Sequence, residues 1–568
     1  MLEPPLDGET SKSIVKRLIW VNIAAGIFFR SYNLLERGPF KGDGIDLWRT
    51  VTVAVQEQVY LWYHAKPGHI FLLWLFSLPL GLKPYVPVLV SLLTGMGTVI
   101  LTYYLGRKLF SHETGLVSAA LLIINPWHVE YSREALSLAN ASFFWMLALI
   151  YYLKSRPDSF CHTKSRIALI ESQGPRYLYK VVISGIYMGF AFSCHYNLGL
   201  MPVAFLLFEV HLGYKILIEK KNGSTCELEK KHFDDENSGF WVLGYAIRIF
   251  LLLMSMLFPL VFFNSLHLHL VYLNYSNIIG DPAEAPVIFS YAQQIINQLK
   301  TNVSIIWGHP SGAAFWGRIL WNDLGGIACM LFIAGLVIQL KRLKKNFSIN
   351  YLAFVLPIFL AFVFFLNGEY KGEARSFAFG IPLTALVSGY CLTSIGRFKK
   401  FKSYYLIIPF FIFVQNIPIL ISQIQINSVR EQVQSYLRDN NIKSIIMQGW
   451  EARSMVNLSP KQAIFSPNSK WTYQQVKTAR RSGKNVNPRH LLTIRSQMDC
   501  QPIASWIPTQ GRSEKNFERG KVFRTWDLRK DLNLKNEIGL FLIENCFIKN
   551  NNQVPGNKLQ RLREIYKK

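Results

Sequence analysis

"YAIRIFLLLMSMLFPLVFF", Tyr245–Phe263, decides the class of this protein. It is overwhelmingly apolar and close to the ~20 residues a helix needs to cross the hydrocarbon core of a bilayer. "YLAFVLPIFLAFVFFL" (Tyr351–Leu366) and "YYLIIPFFIFVQNIPILI" (Tyr404–Ile421) repeat the texture. Of the 568 residues, 50% are hydrophobic and only 17% charged, against about a quarter charged in an ordinary soluble chain. The apolar residues come in blocks, so the chain reads as a multi-spanning, all-α membrane protein.

Working outward, apolar runs predict membrane helices at 15–33, 86–105, 114–126, 134–153, 179–194, 198–217, 241–263, 324–340, 349–367, 375–395 and 403–422. The run His69–Leu82 is short for a span and suits an interfacial or re-entrant helix. Charge then sets the topology. If 69–82 does not cross, the basic clusters Lys12/Lys16/Arg17, Arg107/Lys108, Lys154–Lys180, Lys215–Lys231, Lys341–Lys345 and Arg397–Lys402 share one face. The positive-inside rule makes that face cytoplasmic. About eleven spans follow, in a plasma (inner) membrane, with the N-terminus inside and the C-terminus outside. No small-residue cleavage site follows the first run, which therefore reads as a retained span.

The net charge of +27 would suggest nucleic acid in a soluble protein. Here it falls largely in loops, where it orients the chain and meets anionic headgroups. No zinc-finger spacing, RNA-binding aromatic motif or phosphate-binding Gly-Lys loop is present, so nucleic acid is not an expected partner. The seven cysteines form no CxxC pair and mostly read as small packing residues. Cys500 and Cys546 share the tail and would be free to pair outside the cytoplasm.

After Ser422 the texture changes. "VREQVQSYLRDNN" has helical spacing, followed by strand-like "KSIIMQGW", "HLLTIRS" and "IGLFLIENCFI". The chain thus divides into a membrane domain, 1–422, and a small extracytoplasmic α/β domain, 423–568.

On that topology the outer face collects the charged residues that carry chemistry. "FKGDGIDLWRT" (Phe40–Thr50) supplies Asp43 and Asp46, and "AKPGH" supplies Lys66 and His69. "NPWHVEYSREA" supplies His128, Glu130, Arg133 and Glu134, and "NGEYKGEARS" supplies Lys371 and Arg375. Arg133 and Arg375 stand where apolar helices begin, at the depth of lipid phosphates. Each has a plainer reading. A boundary arginine serves as an interfacial anchor, an aspartate between glycines makes a turn, and a histidine beside proline is commonly structural. The pair His267/His269 in "LHLHL" would ligate a metal only with partners that the sequence does not identify.

The combination resembles the membrane glycosyltransferases of the GT-C fold, in particular the protein-mannosyltransferase and aminoarabinose-transferase superfamily. An acidic pair follows the first span. "GRKLF" matches the cytoplasmic turn after the second span, "NPWHVEYSREA" matches the "P…YSRxA" that ends the third, and "EARSFAFGIPLTALVSGY" is similar to their "RYxxPxxP" start, with Arg375 at the arginine. The likeness covers 15–153 and 370–395. Two departures stand out: the adjacent Asp-Glu of many members is spread over Asp43 and Asp46, and their "HPP" appears as "KPGH".

The resemblance implies a sugar moved with inversion from a polyprenyl-phosphate donor to an extracytoplasmic hydroxyl on a glycan, lipid or protein. It also implies Asp43 or Asp46 as general base, and Arg133, Lys371 and Arg375, with Lys66 and His69, as cations and donors around the lipid phosphate. His128, Glu130 and Glu134 form a second tier. No cofactor is required, and a divalent metal is possible but has no ligand cluster in its favour. The segment 69–82 with Trp62, Tyr63 and Trp74 would shape a groove for the lipid, and loop 264–323 would cover the sugar. The competing readings are a transporter or flippase for a lipid-linked sugar, an oligosaccharide ligase or polymerase, and a non-catalytic scaffold.

Overall fold

The computed structural model describes residues 8–35, 44, 47–48, 51, 66–83, 85–156, 175–195, 198, 205–206, 209–210, 238–278, 325–345, 379–396, 407–425 and 439, together with five short strands between 445 and 544. Among them are eleven helices: α1 (Gly8–Ser31), α2 (Pro67–Leu80), α3 (Val86–Leu109), α4 (His112–Ile123), α5 (Pro126–Ser132), α6 (Ser137–Lys154), α7 (Pro175–Cys194), α8 (Ser238–Ile278), α9 (Gly326–Lys345), α10 (Ile381–Gly396) and α11 (Ile407–Gln425). Nine of them stand where apolar runs predict spans. The predicted span 349–367 lies outside the described residues, as does most of 198–217.

By length and composition, α3, α7 and the Ala246–Leu266 part of α8 are long and apolar enough to cross a membrane, and α5 with α6 would make a bent fourth. Phe258 on α8 is 64% exposed and Ile100 on α3 is 63% exposed. Such outward-facing apolar side chains suit lipid rather than water. The molecule is a helical, multi-pass membrane protein.

Local signals explain where helices begin and turn. The Ser111 side chain accepts from the backbone N–H of Thr114 at 3.1 Å, capping α4 just after α3 ends. Asn125 Oδ1 accepts from His128 N at 2.9 Å, with Pro126 in the first turn, so α5 starts anew after α4. Small residues then set how closely helices approach. A Cβ on Gly185 would lie 2.7 Å from Leu252 O, and one on Gly189 would lie 3.0 Å from Pro259 Cδ. This Gly-x-x-x-Gly face lets α7 lie directly on the backbone of α8.

Two expectations are corrected. The stretch 127–133, left between the expected spans 114–126 and 134–153, is largely the short helix α5, bent 107° from α6. The outer loop expected from residue 264 begins as helix: α8 runs 41 residues, to Ile278, about 60 Å at 1.5 Å per residue. Polar residues such as Asn264 do not stop a helix, because its backbone bonds are all internal.

The main core joins α3, α4, α6, α7, α9 and α10 around buried Trp127, Trp145, Leu149, Met188 and Leu386. A second cluster joins Leu47, Trp48 and Val51 to Ile70 and Leu73 of α2, Val86 and Val90 of α3, and Phe263 of α8.

In the C-terminal region, β1 (Ile445–Met447), β2 (Ala463–Phe465), β3 (His490–Thr493), β4 (Pro502–Trp506) and β5 (Leu540–Glu544) form one sheet in the order β2-β1-β3-β5-β4. β1 is parallel to β2 and β3, and β5 is antiparallel to β3 and β4. Strands β1, β3 and β5 fall inside the three segments expected to be strands. Cys500 and Cys546 lie outside the described residues.

Candidate active site

The site is built around the turn between α5 and α6, residues 133–136. Its backbone carbonyl at Ala135 is where three segments meet. His69, in the first turns of α2, directs Nε2 at Ala135 O at 3.2 Å. Gly44 packs on the same residue: a Cβ there would lie 3.2 Å from both Ala135 Cβ and Ala135 O. A side chain there would require the turn to give by a few tenths of an ångström. The acidic stretch is therefore no solvated turn at its described positions, since Gly44, Leu47, Trp48 and Val51 are helical and buried. Their spacing of i, i+3, i+4 and i+7 is one face of a helix.

Around this turn, polar groups are buried and engaged. His69 Nδ1 accepts from Asn140 Nδ2 at 2.7 Å, and the Thr94 hydroxyl donates to Asn140 Oδ1 at 2.6 Å. The His69 imidazole is thus a neutral tautomer with the proton on Nε2. Burial, with the Lys66 ammonium adding to it, holds this histidine down at about 3, although the Ala135 bond works the other way.

Arg133 caps the C-terminus of α5 and is fully buried. Its guanidinium donates to the carbonyls of Phe29 and Tyr32, the latter at 3.3 Å, at the end of α1. Cations at a helix C-terminus complement its orphan carbonyls and its dipole. Arg30 completes the arrangement from α1: Nη1 donates to Gly26 O at 2.9 Å and Ile123 O at 2.5 Å, and Nη2 donates to His128 Nδ1 at 2.9 Å. His128 therefore carries its proton on Nε2.

Of the residues singled out in the sequence, Lys66, His69, His128, Glu130, Arg133 and Glu134 are all buried. The structure brings His69 and the α5–α6 turn together, with Lys66 close enough to His69 to depress its pKa. Asp43, Asp46, Lys371 and Arg375 lie outside the described residues, as do Trp62 and Tyr63. Trp74 packs on the cluster that holds Leu47 and Trp48. Among the described residues no group of His, Cys, Asp and Glu is arranged to hold a metal ion.

Sequence reading passed over Arg30, Asn140 and Thr94, and also a second buried centre at the other end of α6. There Glu209 meets Arg156 at 2.5 Å and Arg248 at 3.4 Å. Tyr152 OH donates to Glu209 Oε1 at 3.0 Å, and Arg248 Nη2 donates to Ser155 Oγ at 2.8 Å. The available signal was the charge itself: Arg30, Glu209 and Arg248 all interrupt apolar runs, where ionised groups are expensive unless paired.

Residues 64–222, the stretch holding the α2–α7 frame of this site, match the family model described as dolichyl-phosphate-mannose-protein mannosyltransferase. That segment is similar to lipid-phosphate-sugar-dependent glycosyltransferases. The match takes in Lys66, His69, His128 and the α5–α6 turn, and it accords with the GT-C resemblance drawn from "GRKLF" and "YSREA". No curated protein matches the chain. Among solved structures, the archaeal oligosaccharyltransferase AglB from Archaeoglobus fulgidus, in complex with an inhibitory peptide and a dolichol-phosphate, is 12% identical, with a TM-score of 0.49, over 85% of this chain and 69% of its own. ArnT from Cupriavidus metallidurans in the apo state is 12% identical, with a TM-score of 0.37, over 93% of this chain and 97% of its own. ArnT bound to undecaprenyl phosphate is 11% identical, with a TM-score of 0.33. At these values no residue correspondence follows.

Proposed function

We propose that this glycosyltransferase moves a sugar from a polyprenyl-phosphate donor to a hydroxyl acceptor on the extracytoplasmic side, with Asp43 as the general base. The observation that carries this reading is the packing of Gly44 on Ala135. Asp43 is the residue that precedes Gly44 in the chain. Asp46 is the competing base.

A hydroxyl is a poor nucleophile, and a carboxylate within reach takes its proton as it attacks. The acceptor oxygen bonds to the anomeric carbon from the side opposite the phosphate, the bond from that carbon to the phosphate oxygen breaks, and polyprenyl phosphate leaves with the electron pair. The anomeric configuration inverts. Lys66, Lys371 and Arg375 are the cations assigned to the growing phosphate charge. Arg133, donating to Phe29 O and Tyr32 O, braces one wall of the site, and His128, Glu130 and Glu134 are assigned to that wall. In this reading α2 lies in the interface, the N-terminus is cytoplasmic, and residues 423–568 form a separate outer domain. The acceptor is a glycan, a lipid or a protein.

Transfer of radiolabelled sugar from polyprenyl-phosphate donors in membranes tests the proposal. Replacing the base is expected to cost about 10²–10⁴ in rate, so Asp43→Asn should be nearly inactive. Full activity in both Asp43→Asn and Asp46→Asn removes the general-base assignment.

A further inference from the structure

We propose that His69 is a positioning residue, which holds the turn on which Gly44 rests, through the Ala135 carbonyl, instead of touching the donor. Both ring nitrogens are already committed, Nε2–H to Ala135 O at 3.2 Å and Nδ1 to Asn140 Nδ2 at 2.7 Å. The side chain is fully buried, so no edge of the ring is open to a lipid phosphate or a sugar.

The bonds instead run through the frame. Thr94 of α3 donates to Asn140 of α6, Asn140 donates to His69 of α2, and His69 donates to the turn on which Gly44 rests. The opposite side of α2 is fixed as well. A Cβ on Gly68 would lie 3.0 Å from Ser193 Cβ and 3.1 Å from Cys194 N at the end of α7. The first turn of α2 is therefore wedged between the end of α7 and the α5–α6 turn, and His69 is its polar fastener.

The chemical reason for a histidine follows from the two contacts. The position needs one donor facing a carbonyl and one acceptor facing an amide, on opposite edges of a flat, compact group. Neutral imidazole supplies both without burying a charge. An apolar ring would leave Ala135 O and Asn140 Nδ2 without their bonds. Buried groups left that way draw in water or shift to new partners, and the turn would move with them. A displacement of the order of 1 Å in a supporting element is enough to lower a rate about 100-fold.

The catalytic part of this inference rests on the function proposed above; the positional part does not. Hydrogen–deuterium exchange on the full chain in lipid nanodiscs tests the positional part. His69→Phe should raise exchange severalfold in the peptide covering 40–51, with α9 and α10 unchanged. His69→Gln, which keeps an N–H for Ala135 O, should stay near wild type. Unchanged exchange at 40–51 in His69→Phe, equal exchange in the two variants, or a rise throughout the chain overturns the proposal. With radiolabelled mannosyl polyprenyl phosphate as donor, His69→Phe should lower kcat about 10- to 100-fold while KM stays within about twofold. A raised KM with kcat intact marks direct donor contact and overturns it too. A wild-type chain that transfers no sugar sinks the donor reading alone, and the exchange result still decides the role of His69.

Discussion

Arg30 Nη2 and His128 Nδ1 lie 2.9 Å apart, both side chains buried, one at the end of α1 and the other in α5. Among the described residues no carboxylate pairs with Arg30. Its charge is met by two carbonyls and a neutral imidazole. Because Ile123 O is the last-turn carbonyl of α4, one guanidinium joins three helices.

Arg30→Met is expected to lower the thermal midpoint of the purified protein. It strips Ile123 O and His128 Nδ1 of their donor, and charge-assisted bonds of this kind contribute about 1.5–3 kcal/mol each. Arg30→Lys keeps the charge but cannot fork to both partners, so its midpoint should fall between those of Arg30→Met and wild type. An Arg30→Met midpoint equal to wild type would show that the junction adds nothing.

Glu209→Gln removes the negative charge from between Arg156 and Arg248, with Tyr152 as a third partner. Breaking a buried ion pair from one side costs about 3–5 kcal/mol. Reversible unfolding in mixed micelles should show a loss of that order, and Glu209→Gln with Arg248→Met should lose less than the sum of the two single changes.

Gly189→Leu should separate α7 from α8. The added side chain would meet Met256 O and Pro259 Cδ, which are backbone and a rigid ring, and neither yields cheaply. The distance between spin labels at Tyr179 of α7 and Leu243 of α8, both exposed, should lengthen in Gly189→Leu. An unchanged distance refutes the close crossing.

Acid should destabilise the fold through buried His69. His69 titrates at about 3 in the fold against 6.5 unfolded. Below 6.5 the unfolded chain takes up a proton that the folded chain does not. Stability is therefore unaffected by this group above about 6.5 and falls as the pH drops from there toward 3. The thermal midpoint should be lower at pH 5 than at pH 7.5, and the gap should narrow in His69→Gln. A midpoint that does not fall at pH 5 would contradict a buried neutral imidazole.

Much of the fold is legible in the chain because its signals are local. The apolar length of 86–105 and of 241–263 predicts helices that the structure places there, whereas the helix starts after Ser111 and Asn125 show only in the structure. The strands at Ile445–Met447 and Leu540–Glu544 announce themselves by the apolar runs around them, whereas Ala463–Phe465 stands between polar residues and prolines and does not. The length of α8 beyond Phe263 was hidden, since a helix that leaves the membrane can continue through polar residues without an apolar signature.

The sequence by itself determined that this chain enters a membrane, because burying about 20 apolar residues in hydrocarbon requires no partner. It also placed Lys66, His69, His128 and Arg133 among the residues that matter. Only the tertiary structure decided what those residues hold. His69 meets Asn140 across 71 positions of chain, and Arg30 meets His128 across 98. A buried polar group must find a complementary one, and which one it finds depends on helix crossings such as Gly44 on Ala135, which no local window of residues contains.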